Sequence, residues 1–179
     1  MPGIQCSDLA AHMRILRLVG FAVVFVSATA NASAAGEQAF IDLFSGWWAG
    51  SGTVEKGSIP WHVNCSATGE SAINHVTIEG TCSVSIVSVR IAADIRFDPI
   101  SGRYSATYLG AEVGPAHVSG RSRGNAVNLA ITWPKPINGD TKARMTIVNT
   151  GDRLRLTLLD NVAPGGPEEL RSDVILLRK

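Results

Sequence analysis

RIAADIRFDPISGRYSATY, residues 90–108, reads as two strands and the turn that joins them. Ile91, Ala93, Ile95 and Phe97 alternate with Arg90, Asp94 and Arg96, the period of a strand with one dry face and one wet face. In Asp98-Pro99-Ile100-Ser101-Gly102, Pro99 presets φ at the first turn position and Gly102 can take the left-handed conformation that closes a short loop. If Asp98 then pairs with Arg103, Phe97 lies opposite Tyr104, Ile95 opposite Ala106 and Ala93 opposite Tyr108, which puts both tyrosines on the inner face.

The same rhythm extends in both directions. Val127, Leu129, Ile131 and Trp133 alternate with polar residues, as do Leu154, Leu156 and Leu158 with Arg153, Arg155 and Thr157. Strands are predicted near 47–55, 61–67, 72–79, 82–88, 90–97, 103–109, 115–121, 125–133, 141–149, 153–160 and 171–178, with boundaries uncertain by about 2–4 residues. At Asn149-Thr150-Gly151-Asp152 a second tight turn sets Ala143, Met145 and Ile147 beside Leu154, Leu156 and Leu158. Its outer face then carries Lys142, Arg144, Arg153 and Arg155, a cationic stripe that either keeps the sheet soluble or docks an acidic partner or an anionic polysaccharide or headgroup. About ten short strands separated by hairpin-like turns leave two exposed edges unless the sheet closes. The expected fold is therefore all-β, an antiparallel meander closed into a small barrel of about 8–11 strands, with a β-sandwich as the alternative.

Before the meander, Phe40, Leu43 and Phe44 in Glu37–Phe44 predict one short helix ended by Ser45-Gly46. Further upstream, Arg14 and Arg17, the apolar run Leu18–Val26 and the small residues Ala32-Ser33-Ala34 have the three parts of a secretory signal. Cleavage is expected after Ala34, with residues 1–12, including Cys6, an overextended start and an uncleaved anchor as the competing reading. That leaves 35–179 as one domain in the periplasm or outside the cell, with no transmembrane segment after cleavage. Without Asp8, Arg14 and Arg17, 14 basic and 14 acidic side chains remain, so no net field draws in nucleic acid. Cys65 and Cys82, alone in an oxidising compartment, are read as a disulfide worth about 3 kcal/mol, in preference to a metal site.

Phe44-Ser45-Gly46-Trp47-Trp48, a helical turn running into Gly-x-Trp and a glycine-punctuated first strand, resembles the start of the lipocalin-like (calycin) barrels. The resemblance implies that the turn plugs one barrel end, that Trp48 packs inside, and that a basic residue from the barrel's end lies across it. Arg178 is the matching position, with Arg171 as the fallback.

No catalytic group stands out. His62, His75 and His117 lack partners at triad or ligand spacing, and no Gly-x-Ser-x-Gly elbow, P-loop or calcium loop is present. Haem ligation by a histidine is conceivable in such a barrel, but nothing singles out a ligand, and no cofactor or metal is expected. Asp160, Glu168 and Glu169 flank a loop, where solvation is the ordinary role. The reading is of a binding module, with Trp48, Ile95, Phe97, Tyr104, Tyr108, Leu129, Trp133 and Met145 lining an interior that holds a small apolar or amphipathic molecule. The alternative is a protein-interaction domain, such as an inhibitor of a hydrolase or protease, working through the Pro-rich loops 132–139 and 162–167.

Overall fold

The alternation that follows Gly46 runs to Arg178, and the computed structural model, which describes residues 28–110 and 113–179, winds it into a closed antiparallel barrel. One helix, α1 (Ala28–Asp42), precedes ten strands: β1 (Gly46–Lys56), β2 (Ile59–Ala72), β3 (His75–Val84), β4 (Val87–Asp98), β5 (Arg103–Leu109), β6 (Ala116–Arg123), β7 (Ala126–Ile137), β8 (Asp140–Asn149), β9 (Arg153–Asn161) and β10 (Glu168–Arg178). Each strand pairs with the next, and β1 closes on β10 from Trp48 opposite Arg178 to Val54 opposite Ser172. The expected n-region, apolar run and Cys6 lie outside the described residues. Helix α1 continues across the expected cleavage site after Ala34.

The hairpin of residues 90–108 has the register read from its turn, with Asp98 opposite Arg103, Phe97 opposite Tyr104 and Ala93 opposite Tyr108. Asp98 ties the turn by accepting from Ser101 Oγ at 2.6 Å and from the Ile100 N–H at 2.9 Å, and these bonds hold its carboxyl below the usual range. Eleven predicted strands become ten because 72–79 and 82–88 do not exist as separate strands. Between them β3 runs unbroken, and the break falls instead at Ser85-Ile86. Ser85 supplies the left-handed φ of 53° there, so this two-residue turn carries no Gly, Pro or Asn to mark it.

Helix α1 plugs one end, burying Phe40, Ile41 and Phe44 among the inward side chains. Its last turn tightens, with the amides of Leu43, Phe44 and Ser45 each bonding three residues back. Glu37 receives Tyr104 Oη at 2.6 Å and Ser122 Oγ, and Gln38 bridges Ala72 O and the Asn74 N–H. Burial first, and then Glu37, pushes the Tyr104 hydroxyl well above its ordinary value. Trp48, 1% exposed, donates from Nε1 to Phe44 O at 2.9 Å, whereas its neighbour Trp47 points out and is 57% exposed.

The Arg178 guanidinium lies 4.4 Å from the Trp48 ring centroid and donates to Leu43 O at 2.7 Å, Gly151 O at 2.6 Å and Ser45 O. Gly46 makes room for it: φ is 114°, and a Cβ there would stand 2.7 Å from Arg178 Nη1. Arg178→Ala should therefore lower unfolding stability by about 2 kcal/mol through the lost charged hydrogen bonds and cation–π contact. Arg178→Lys should recover less than half, because one ammonium cannot span three divergent carbonyls. Urea midpoints at constant m test this, and an alanine variant within about 0.5 kcal/mol of the parent would show that the closure is ornamental.

Candidate functional site

The barrel's two ends differ in what fills them. At the plugged end, Trp48, Phe97 and Tyr104 pack beneath α1, the last two with ring centroids 5.0 Å apart. The void between Ile41, Phe44, Val76, Ile95, Tyr104, Val127, Leu129 and Ile147 measures about 20 Å³. That is room for about one water and for no organic ligand. Trp48, Phe97 and Tyr104 are thus core, and the expected lining set does not converge on one cavity.

Tyr108 and Trp133 lie toward the other end, with centroids 6.3 Å apart. Here the connections are those after β1, β3, β5, β7 and β9, and no helix of the described residues covers them. Met145 sits between, buried on β8 opposite Leu129 and Leu158. The Tyr108 ring reaches along its strand to Gly110, where a Cβ would come within 2.1 Å of the hydroxyl, and burial raises that hydroxyl's pKa.

Two polar groups enter this end unannounced. Asp160, expected to be solvated, is 3% exposed. It accepts from Trp133 Nε1 at 3.1 Å and from the Asn161 N–H at 2.7 Å. Burial raises its pKa, with nearby Asp140 adding to the rise, while the two hydrogen bonds and Arg171 oppose it. Arg171, offered as the fallback partner of Trp48, is at the opposite end of the barrel from it. Leu170 pairs with Leu159 and Ser172 with Leu158, which makes Arg171 the extra residue of a bulge. Its buried guanidinium donates to Glu55 Oε2 at 3.0 Å and Gly57 O at 2.5 Å.

The opposite wall is apolar. In β2 the inward positions Val63, Cys65 and Ala67 are buried, and the same parity continues outward to Trp61 and Ile59. In β4 it runs from Phe97 and Ile95 to Val89 and Val87. These four outermost residues are exposed although they stand in the inward phase: Ile59 61%, Trp61 44%, Val87 62% and Val89 40%. Below them Cys65 and Cys82, directly opposed across β2 and β3, are joined with an S–S separation of 2.04 Å. Sequence reasoning missed both walls. The parity of Leu154, Leu156 and Leu158 would have placed Asp160 inside, but no pattern announces the bulge at Arg171.

Other expected features sit elsewhere. His62, His75 and His117 occupy outward positions, His75 beside Asp94 at 3.2 Å, and no group of three or more His, Cys, Asp or Glu among the described residues could hold a metal. The cationic stripe is half neutralised from β10, Arg155 forming two bonds to Asp173 at 2.9 and 2.7 Å and Arg144 pairing with Glu168. Of loop 132–139, residues 132–137 belong to β7 and Trp133 faces inward and is buried, so it offers no contact surface; Pro134, Lys135 and Pro136 are exposed. This loop and loop 162–167 lie together, since Asn138 Nδ2 donates to Asn161 O at 2.6 Å and a Cβ on Gly139 would meet Pro164 at 2.6 Å.

No protein-family model matches the chain, and no curated protein does. Among solved structures, the crystal structure of Rv2717c from M. tuberculosis superposes with a TM-score of 0.60 at 16% identity, covering 85% of this chain and 98% of that one. The likeness extends to the fold and supports the barrel architecture.

The buried carboxylate has a measurable signature. With its folded pKa raised, Asp160 favours folding while protonated and loses that contribution as pH climbs from the ordinary carboxylate range through the raised value. The stability difference between Asp160→Asn and the parent should therefore move in the variant's favour as pH rises from about 4 to 7. Asp160→Ala, which strands the Trp133 N–H, should cost about 1–3 kcal/mol at every pH. A difference between Asn variant and parent that stays flat with pH would refute the burial of a charged Asp160.

Proposed function

We propose that this chain is an exported binding protein that takes a small apolar or amphipathic molecule at the open end of its barrel. The observation that carries the reading is the exposure of Ile59, Trp61, Val87 and Val89 in the inward phase. Apolar side chains aimed into a barrel normally pack there, and an uncovered concave apolar wall is the ordinary form of a ligand site. Burying the exposed parts of Trp61 and one valine against a ligand is worth at most about 1.5–3 kcal/mol each, which alone corresponds to affinity of about a millimolar, so a micromolar site draws several further kcal/mol from the rest of the mouth.

Export is supported by the signal-like leader and by the Cys65–Cys82 bond, since such bonds persist in oxidising compartments. A second reading, contact with a protein partner, has in its favour the joined Pro-rich connections, where Pro134, Pro136, Pro164 and Pro167 are all exposed.

Titration with the neutral dye N-phenyl-1-naphthylamine tests the first reading. One site per chain is expected, with dye emission shifted to the blue. Ile59→Ser combined with Val87→Ser, the two most exposed of the four rim residues at 61% and 62%, should weaken binding by about tenfold or more while moving the urea midpoint little. Trp47→Ser, on the outer face, is the control and should leave binding unchanged. Equal losses for the rim and outer-face variants would remove the mouth as the site, and native mass spectrometry of protein purified from the export compartment reports a bound molecule or partner chain directly.

A further inference from the structure

We infer that the open end selects amphipathic cations, molecules with an apolar body and an ammonium or similar head, with Asp160 as the group that receives the head. The inference rests on the reading of the mouth as a ligand site and names the chemistry of what enters it. Its basis is an incomplete set of partners around a buried carboxylate. An ionised carboxyl offers about four acceptor positions. Asp160 fills two of them, from Trp133 Nε1 and the Asn161 N–H, and both donors are neutral. A carboxylate 3% exposed and with no close ion pair among the described residues is costly, and a ligand that brings the cation relieves the cost.

The protein's own cations do this only in part. Arg171, on the neighbouring strand, acts on Asp160 through its charge, but its hydrogen bonds go to Glu55 Oε2 and Gly57 O, one strand further round. Lys142 and Arg144 on β8 point outward, Arg144 to Glu168, and Lys135 on β7 is exposed to solvent. On β10 the residue directly opposite Asp160 is Glu169, a second carboxylate on the same rung, and Asp140 adds negative charge from the turn before β8. An incoming anion would meet Asp160, Glu169 and Asp140 together. An ammonium would meet the same three carboxylates favourably. The apolar wall of Trp61, Val87 and Val89 is left for the body of the molecule.

Three ligands of one chain length separate the possibilities: decylamine, decanol and decanoate, each competed against the neutral dye at pH 7 and low salt and below its aggregation threshold. The amine should displace the dye at least about tenfold more tightly than the alcohol, with the carboxylate weakest. Asp160→Asn, which keeps an acceptor for Trp133, should remove most of the amine's advantage over the alcohol, the remainder being what Glu169 and Asp140 still supply. Amine and alcohol binding alike to the parent, or decanoate binding best, would overturn the cation selectivity while leaving an apolar ligand site standing. Displacement by none of the three would overturn the ligand site and the selectivity together. The ranking on the parent protein needs no variant, so the test holds even if Asp160→Asn folds poorly.

Discussion

A guanidinium over an indole, Arg178 upon Trp48, joins the last strand to the first and both to the helix. The three carbonyls it binds, on Leu43, Ser45 and Gly151, belong to the helix end, the link to β1 and the turn before β9. Two of them lie where a helix terminates, a place rich in unpaired acceptors that favour a cation. The bond set can form only when β1 and β10 are neighbours, so it is linked to closure of the sheet, and closure is what removes the free edges. Fixing the helix at this end also decides which end remains open.

The consequence is an asymmetry in how the interior is filled. Ten strands enclose more space than a single inward row per strand readily fills. At the plugged end Phe40, Ile41 and Phe44 supply the missing volume from the helix, leaving a void of about 20 Å³. At the other end the described residues supply no such insert, and the inward rows of β2 and β4 run on past the point where any described residue covers them. The aromatic set read as one cavity lining is split by this asymmetry: Trp48, Phe97 and Tyr104 belong to the packed end, Tyr108 and Trp133 to the approach from the open one.

How far this could be read from sequence follows from the kind of signal each feature leaves. The 90–108 hairpin was legible to the residue, because Pro99 and Gly102 fix the turn and the period of two fixes the faces. The barrel followed from the strand count and the short turns, and the Trp48–Arg178 juxtaposition from what the resemblance of Phe44–Trp48 to lipocalin-like barrels implies. The Ser85-Ile86 turn was invisible, since a serine took the left-handed position usually held by Gly or Asn. Asp160 was misread because a loop follows it, although three leucines in step already pointed it inward. Arg171 was beyond reach: one bulged residue shifts the parity of everything before it, and nothing in Leu170-Arg171-Ser172 marks the slip. The exposed rim was half legible, its phase given by alternation and its exposure set by the heights of neighbouring strands.

Two features of the open end work against the stability of the empty protein, an uncovered apolar wall and a buried carboxylate short of partners. Most of the remaining chain agrees across levels: the hairpin of residues 90–108 matches turn with register, and Glu37 and Gln38 of the plug are paired, while at the plugged end Asn149 Nδ2 is buried without a partner among the described residues. What separates the open end from that single orphaned amide is that two departures of different kinds meet at one opening, the pattern expected where selection acts on something other than folding. The two departures are also complementary, since an apolar surface and an uncompensated negative charge facing one opening are together satisfied by a molecule that is apolar along its length and positive at its end.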